Sequence, residues 1–373
     1  MNSAADVVIL GCGIVGAATA LECARAGMSV TVIEQDTPGS GATAAGMGHI
    51  VVMDDSPAQL ALTTYSRSLW NQLAPELPPS VEYSQCGTIW VAADADEMAE
   101  VHRKLACYAA AGVDAEAINP DELREAEPNL RPALAGGLRV PADAVLYPPA
   151  AAAFFMDQAC RHNARLVYGR CLSAAHGEVR LEDGTRLHAD IIVNAAGAVS
   201  PDLTPGISVK KRKGHLVITD RYPNFLNHQL VELGYLKSAH STTADSIAFN
   251  VQPRLTGQIL IGSSRQFDAE DNEVDRGIVA DMLERAALYM PAISKLSALR
   301  IWSGFRAATP DKLPLIGPTE DPTVFLATGH EGLGITTSLA TARLLTDHLL
   351  QRPSPIAPEP YLPSRLAVGA AHV

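Results

Sequence analysis

The chain has 373 residues, 47% hydrophobic and 19% charged, with a formal net charge of -12. That length can bury a large core and predicts two or three domain-sized units. The acidic balance argues against binding to nucleic acid, because a negative long-range field repels phosphate polymers. Six cysteines without a CxxC pair predict reduced thiols and no metal site. The sequence shows neither a leader pattern nor an apolar run of membrane-spanning length, so the expectation is a cytoplasmic protein without a transmembrane segment.

In chain order, the first informative segment is VVILGCGIVGAATALECARAGMSVTVIE, from Val7 to Glu34. It reads as a strand, a glycine turn, a helix and a second strand ending in an acid, the pattern of an ADP-binding unit. Gly11 suits the tight turn, Gly13 lets backbone approach a pyrophosphate, and Gly16 brings helix and sheet together. Ile14 and Val15 open the helix, whose exposed N–H groups attract anions. Glu34 can accept hydrogen bonds from both hydroxyls of an unphosphorylated ribose, which favours FAD or NAD over NADP.

GSGATAAGMGH, Gly39 to His49, is too rich in Gly and Ala to pack a core. Beside the ADP motif it reads as a loop admitting a flat or charged ligand rather than a mere surface loop. Proline-rich stretches at Leu73 to Ser80 and Tyr147 to Ala150 mark changes of organisation. Apolar runs at Ile191 to Asn194 and Thr323 to Thr328, like Val7 to Leu10, predict buried strands of one parallel sheet gathered from distant segments. Alternating strands such as SIAFNVQP and GQILIGSS predict a second, mainly antiparallel sheet. The fold class expected is therefore α/β (α+β in two domains): a Rossmann-like cofactor domain from 1–80, 147–220 and 302–373, and a substrate domain of antiparallel sheet plus helices from 81–146 and 221–301. The KKRK run, Lys210 to Lys213, reads as a solvated turn.

Near the end, GHEGLGIT (Gly329 to Thr336) is a second glycine turn opening a helix. Its N-terminus would stabilise an anion, as a reduced isoalloxazine is. The tail after Arg352 is proline-rich and reads as an extended strap or a disordered end.

These segments, together with VNAAGAVS (193–200) and WSGFRAATPDKLPLIGP (302–318), make nearly the whole chain resemble the flavoprotein family of D-amino acid oxidase, glycine oxidase and sarcosine oxidase. Within it the chain looks similar to the bacterial D-hydroxyproline dehydrogenases. The resemblance implies FAD and a substrate sheet roofing the flavin. It implies that Arg306 pairs with a substrate carboxylate, and that His49 and Asn250 face the substrate, Asn250 standing where relatives have a tyrosine. The cofactor residues it implies, beside Gly11, Gly13, Ile14, Val15, Gly16 and Glu34, begin with Gln35. Ala42, Thr43, Ala45, Gly46 and Met47 follow from the Gly-Ala loop, then Cys171, Ala196, Gly197 and Gly304. Gly332, Leu333, Gly334, Ile335 and Thr336 come from the second turn. Relatives that bind flavin covalently carry a histidine where this chain has Thr43, or a cysteine near Ala307 and Ala308, so non-covalent FAD is implied. The activity implied is hydride transfer from the α-carbon of a small D-amino or cyclic imino acid to the flavin, with cis-4-hydroxy-D-proline or D-proline as substrate. Alternatives are a glycine or sarcosine oxidase, the flavin subunit of a heteromeric dehydrogenase with an electron-accepting partner, or a homo-oligomer; a nicotinamide enzyme is the rival from outside the family.

Overall fold

The computed structural model describes residues 4–234, 245–267 and 269–367. Two eight-stranded sheets organise it. In the first, the strands Val324–Thr328, Arg186–Asn194, Ala4–Leu10, Val30–Glu34 and Arg165–Tyr168 lie side by side and parallel, with Leu315–Pro318 antiparallel at one edge. The apolar runs at 7–10, 191–194 and 323–328 thus become neighbours. They read as continuous apolar stretches because both faces are covered. Helices Ile14–Arg25, Pro148–Arg161 and Gly334–Leu349 pack on one face, burying Val7, Ile9, Val32 and Val193. A hairpin of Cys171–Ala175 and Glu178–Leu181 covers Val8, Leu10, Ile33 and Ile192 on the other.

The second sheet runs Ala298–Ala308, Lys210–Thr219, Ile259–Arg265, Ser246–Pro253, Gln229–Glu232, Thr88–Ala92, Gly136–Val140 and Glu116–Ile118. It is antiparallel except where Gln229–Glu232 meets Thr88–Ala92. The helix Arg276–Tyr289 buries Met282, Ala286 and Tyr289 on the side of Phe249, Val251 and Ile261. That leaves the opposite face, with Leu216, Val231 and Asn250, turned to the first layer, since strand side chains alternate.

Two expectations change here. The strand Lys210–Thr219 belongs to the second sheet over its whole length, paired with Ala298–Ala308 from Lys210↔Ala308 to Thr219↔Ala298. The chain therefore enters the second sheet by residue 210 and, after the strand Ala298–Ala308, returns to the first only beyond residue 308, rather than switching at 220 and 302. The basic run, moreover, is strand and not turn. Arg212 and Lys213 are buried because each finds a carboxylate: Arg212 pairs with Glu331 at 2.5 Å and Lys213 with Asp271 at 2.8 Å. Composition revealed the charges but not their distant acids.

The tail is a strap as far as it is described. Tyr361 is buried and its hydroxyl donates to the Ala58 carbonyl at 2.7 Å. Among the described residues no helix is long and apolar enough to cross a membrane, and no cluster of three His, Cys, Asp or Glu side chains could hold a metal.

Candidate active site

Between the layers lies a cavity of about 900 Å³, at the upper end of the range for ligand sites. Its long arm follows the ends of the parallel strands. The first helix, Ile14–Arg25, begins at Gly13, which has no side chain to cap it, so the N–H groups beyond that of Ile14 can serve an anion. Gly16 sits one turn inside, where a Cβ would overlap the Gly11 carbonyl oxygen; only glycine lets the helix come this close to the turn. Thr43 is buried and accepts from the Ile14 N–H at 3.0 Å, clipping the Gly-Ala segment to the helix start.

Glu34, at the end of its strand, accepts from the backbone N–H of Cys12 at 2.7 Å and of Asp36 at 2.9 Å, one on each oxygen. A carboxylate has about four acceptor positions, so both oxygens can still receive ribose hydroxyls. Gln35 and Cys171 line the same end; burial pushes the Cys171 thiol up to about 11, so it stays protonated. Ala196 and Gly197 line the next stretch, on a turn held by Asn194, which donates to the Ser200 carbonyl at 2.9 Å and accepts from the Ala196 N–H at 3.2 Å. Ala42, Ala45, Gly46, Met47 and Gly304 line the middle.

The second glycine turn meets the cavity with Gly332, Leu333, Gly334 and Ile335. The helix Gly334–Leu349 also lacks a side-chain cap. Gly16 and Thr336, expected at the cofactor, do not line the cavity. Gly16 is packed against the turn. Thr336 is fully buried, its hydroxyl donating to the His49 carbonyl at 2.9 Å and accepting from the Val51 N–H at 3.3 Å. It ties the second helix to the His49–Ile50 strand.

Arg306, His49 and Asn250 all line the cavity, with Arg306 near enough to His49 for its charge to act on the ring. Arg306 rises from the strand Ala298–Ala308 and donates to the Ser264 carbonyl at 2.9 Å. Its guanidinium lies across Gly214 on the neighbouring strand, where a Cβ would overlap both terminal nitrogens. Gly214 is a residue the sequence reading missed; its signal is a lone glycine inside an otherwise continuous strand, which marks close approach of another group. The His49 imidazole bonds to the Gly332 carbonyl, and burial, with the Arg306 charge nearby, pushes its pKa down to about 4. It is therefore neutral near pH 7. With one ring N–H given to that carbonyl, the other nitrogen is an acceptor, and Nδ1 has no hydrogen-bond partner among the described residues. Asn250 is buried with Oδ1 likewise unpartnered among them. Met47 packs on Leu216 and Leu260, and its carbonyl accepts from Gln252 at 2.8 Å. Glu331, also missed, anchors the second turn to Arg212 and, at 3.5 Å, to Arg265.

The cavity has the parts a dinucleotide flavin needs: an acid at the end of the second strand, helix N-termini for anionic groups, and a crevice at the strand ends. Comparison with known proteins agrees. Residues 6–348 match the family described as DAO, FAD dependent oxidoreductase. A glycine oxidase from Geobacillus kaustophilus is 29% identical over 92% of this chain and 92% of its own. A hydrogen cyanide synthase subunit HcnC from Pseudomonas aeruginosa is 26% identical over 100% of this chain and 99% of its own. Among solved structures, the G. kaustophilus glycine oxidase superposes with a TM-score of 0.85 at 27% identity, covering 97% of this chain and 98% of that one. L-proline dehydrogenase from P. horikoshii shares the fold, with a TM-score of 0.87 at 23% identity over 99% of each chain. The chain belongs to the FAD-dependent oxidoreductase family, and it is an enzyme that uses FAD.

Proposed function

We propose that this family member oxidises a small D-configured cyclic imino acid, cis-4-hydroxy-D-proline or D-proline, with FAD held non-covalently. The observation that carries the reading is that Arg306 and the neutral His49 adjoin the second glycine turn and share one cavity with the buried acceptor Asn250. A guanidinium offers a carboxylate two parallel hydrogen bonds and so fixes the α-carbon in one orientation. His49 Nδ1 and Asn250 Oδ1 can accept from the substrate amine, and a neutral His49 does not oppose it with a like charge. Bound FAD supplies the hydride acceptor for the α-hydrogen. The uncapped N-terminus of Gly334–Leu349 places positive potential beside that site. Met47, Leu216 and Val231 contribute the apolar surface a small ring requires.

The wild-type protein is expected to reduce its flavin faster with cis-4-hydroxy-D-proline than with D-proline, and slowest with glycine and sarcosine, in anaerobic stopped flow. His49→Ala should slow flavin reduction by D-proline and by the hydroxylated ring to a similar degree, because both lose an acceptor for the amine. Faster reduction by an L-amino acid or by glycine would reject the substrate assignment.

The non-covalent attachment rests on the side chains at hand. Thr43 is engaged with the helix start, and positions 307 and 308 are alanines. Acid precipitation should leave the flavin in the supernatant, and flavin in the pellet would overturn the point. Glu34→Ala should weaken FAD retention by roughly 1.5 to 3 kcal/mol, the contribution of a hydrogen bond to a charged group.

A second reading, a flavin subunit that passes electrons to another chain, is supported by the full-length similarity to a protein named as a synthase subunit. Copurification of a second chain from the native source would favour it.

A further inference from the structure

The sheet face over the cavity carries more buried polar acceptors than a substrate amine can use. Register places Trp90 beside Val231, Val231 beside Asn250 and Asn250 beside Gly262, one row across four strands. Gln229 stands two residues before Val231, on the same face. It is 1% exposed, yet its Oε1 has no hydrogen-bond partner among the described residues. Asp55 Oδ1 is buried and likewise unpartnered among them, at the entry to the helix Pro57–Leu73. Both residues line the cavity. Much of the adjoining wall is apolar, with Val51, Met53, Trp90 and Val231 forming one packed cluster with Leu333 of the second glycine turn, while register sets the buried Thr88 directly beside Gln229.

Buried oxygens are normally satisfied, and a native site that keeps several of them open in an apolar wall is shaped for a donor that arrives with the ligand. His49 and Asn250 can serve the amine, and Arg306 is placed for the carboxylate. Gln229 and Asp55 remain. We propose that these two, beside Trp90, whose buried Nε1–H is likewise unpartnered among the described residues, form a subsite for a hydrogen-bonding group carried by the substrate away from its α-carbon, a hydroxyl or an amino group. The subsite rests on the amino-acid-oxidising reading and extends it: the substrate is selected by a distal donor as well as by its α-amino-acid head. Gln229 offers a neutral acceptor that suits either group. Asp55 adds a negative charge that favours the amino form.

The test is flavin reduction by the holoenzyme with matched pairs of amino acids that differ only in the donor. The pairs are proline against its 4-hydroxy and 4-amino forms, and alanine against serine and 2,3-diaminopropionate, each in both configurations. In the pair the enzyme uses best, the donor-bearing member should lead. Gln229→Leu and Asp55→Leu, which fill the space without an acceptor, should each lower its second-order rate constant for flavin reduction by about 10- to 100-fold, while changing the donor-free member by no more than about threefold. Absence of a donor preference in the wild type, or an equal fall for both members of a pair, would overturn the subsite. If the best pair is not D-proline, the D-imino acid assignment fails and the subsite stands. If D-proline itself leads its pair, the subsite fails and the assignment to D-imino acids stands.

Discussion

Replacing Arg306 by alanine should cost about 2 to 5 kcal/mol of transition-state binding, with the spectrum of the bound flavin little changed. The side chain is placed for that effect. It lies flat over Gly214, is steadied by the Ser264 carbonyl at 2.9 Å, and opens onto the cavity beside Gly332. Loss of the guanidinium removes a fork-shaped donor set able to hold a carboxylate in a fixed plane, so the deficit should appear in both the affinity for substrate and the rate of flavin reduction. Arg306→Lys should recover only part of it, because a single ammonium cannot make the two parallel bonds. Stopped-flow measurement over a range of substrate concentrations separates the two contributions. Unaltered kinetics in the alanine variant would remove Arg306 from the site.

Lys104→Met should destabilise the fold by about 3 kcal/mol, read as a fall in the midpoint of chemical denaturation of the holoenzyme. Lys104 is fully buried and paired with Asp54, which is 2% exposed. The ammonium lies 4.7 Å from the centre of the Trp90 ring. Removing it strands a buried carboxylate. The expected cost lies at the low end of the usual 3 to 5 kcal/mol for breaking such a pair, because Arg103 also donates to Asp54 at 2.8 Å. Burial pushes the Asp54 carboxyl up, but the two cations outweigh it and hold it below its ordinary range. The stabilisation is therefore present above the carboxylate range and lost as pH falls through it, and the difference between wild type and variant should shrink in acid. Adding Asp54→Leu to the variant should restore most of the loss, since an apolar pair replaces an unpaired charge. A denaturation midpoint unmoved by Lys104→Met would show that the pair contributes nothing.

The local signals translated well because they are properties of short segments. An apolar run before GCGIVG dictates strand and turn whatever surrounds it. The ending acid follows from where the strand stops, and the uncapped helix at Gly334 is announced by GHEGLG. Alternation in SIAFNVQP announced a strand, whereas the direction of Asn250 was implied by the family resemblance alone.

KKRK failed as a local reading for the complementary reason. Whether Arg212 is a solvated charge or a buried partner depends on Glu331, more than a hundred residues away, and nothing in the tetrapeptide encodes that distance. Thr336 failed likewise. A threonine at a helix start can face a ligand or fasten a neighbouring strand, and the choice fell to the position of the His49 carbonyl.

Local sequence sufficed for the two glycine turns, the parallel sheet and the acid that ends its second strand, because hydrophobic period and glycine sterics act over a few residues. The wall around Arg306, His49 and Asn250 needed the folded chain. Gln229, Asp55, Trp90 and Gly214 carry no motif. They matter because cross-strand register and the close packing of two layers set orphaned oxygens and one bare glycine around the same cavity, and such long-range proximity is a property of the folded chain.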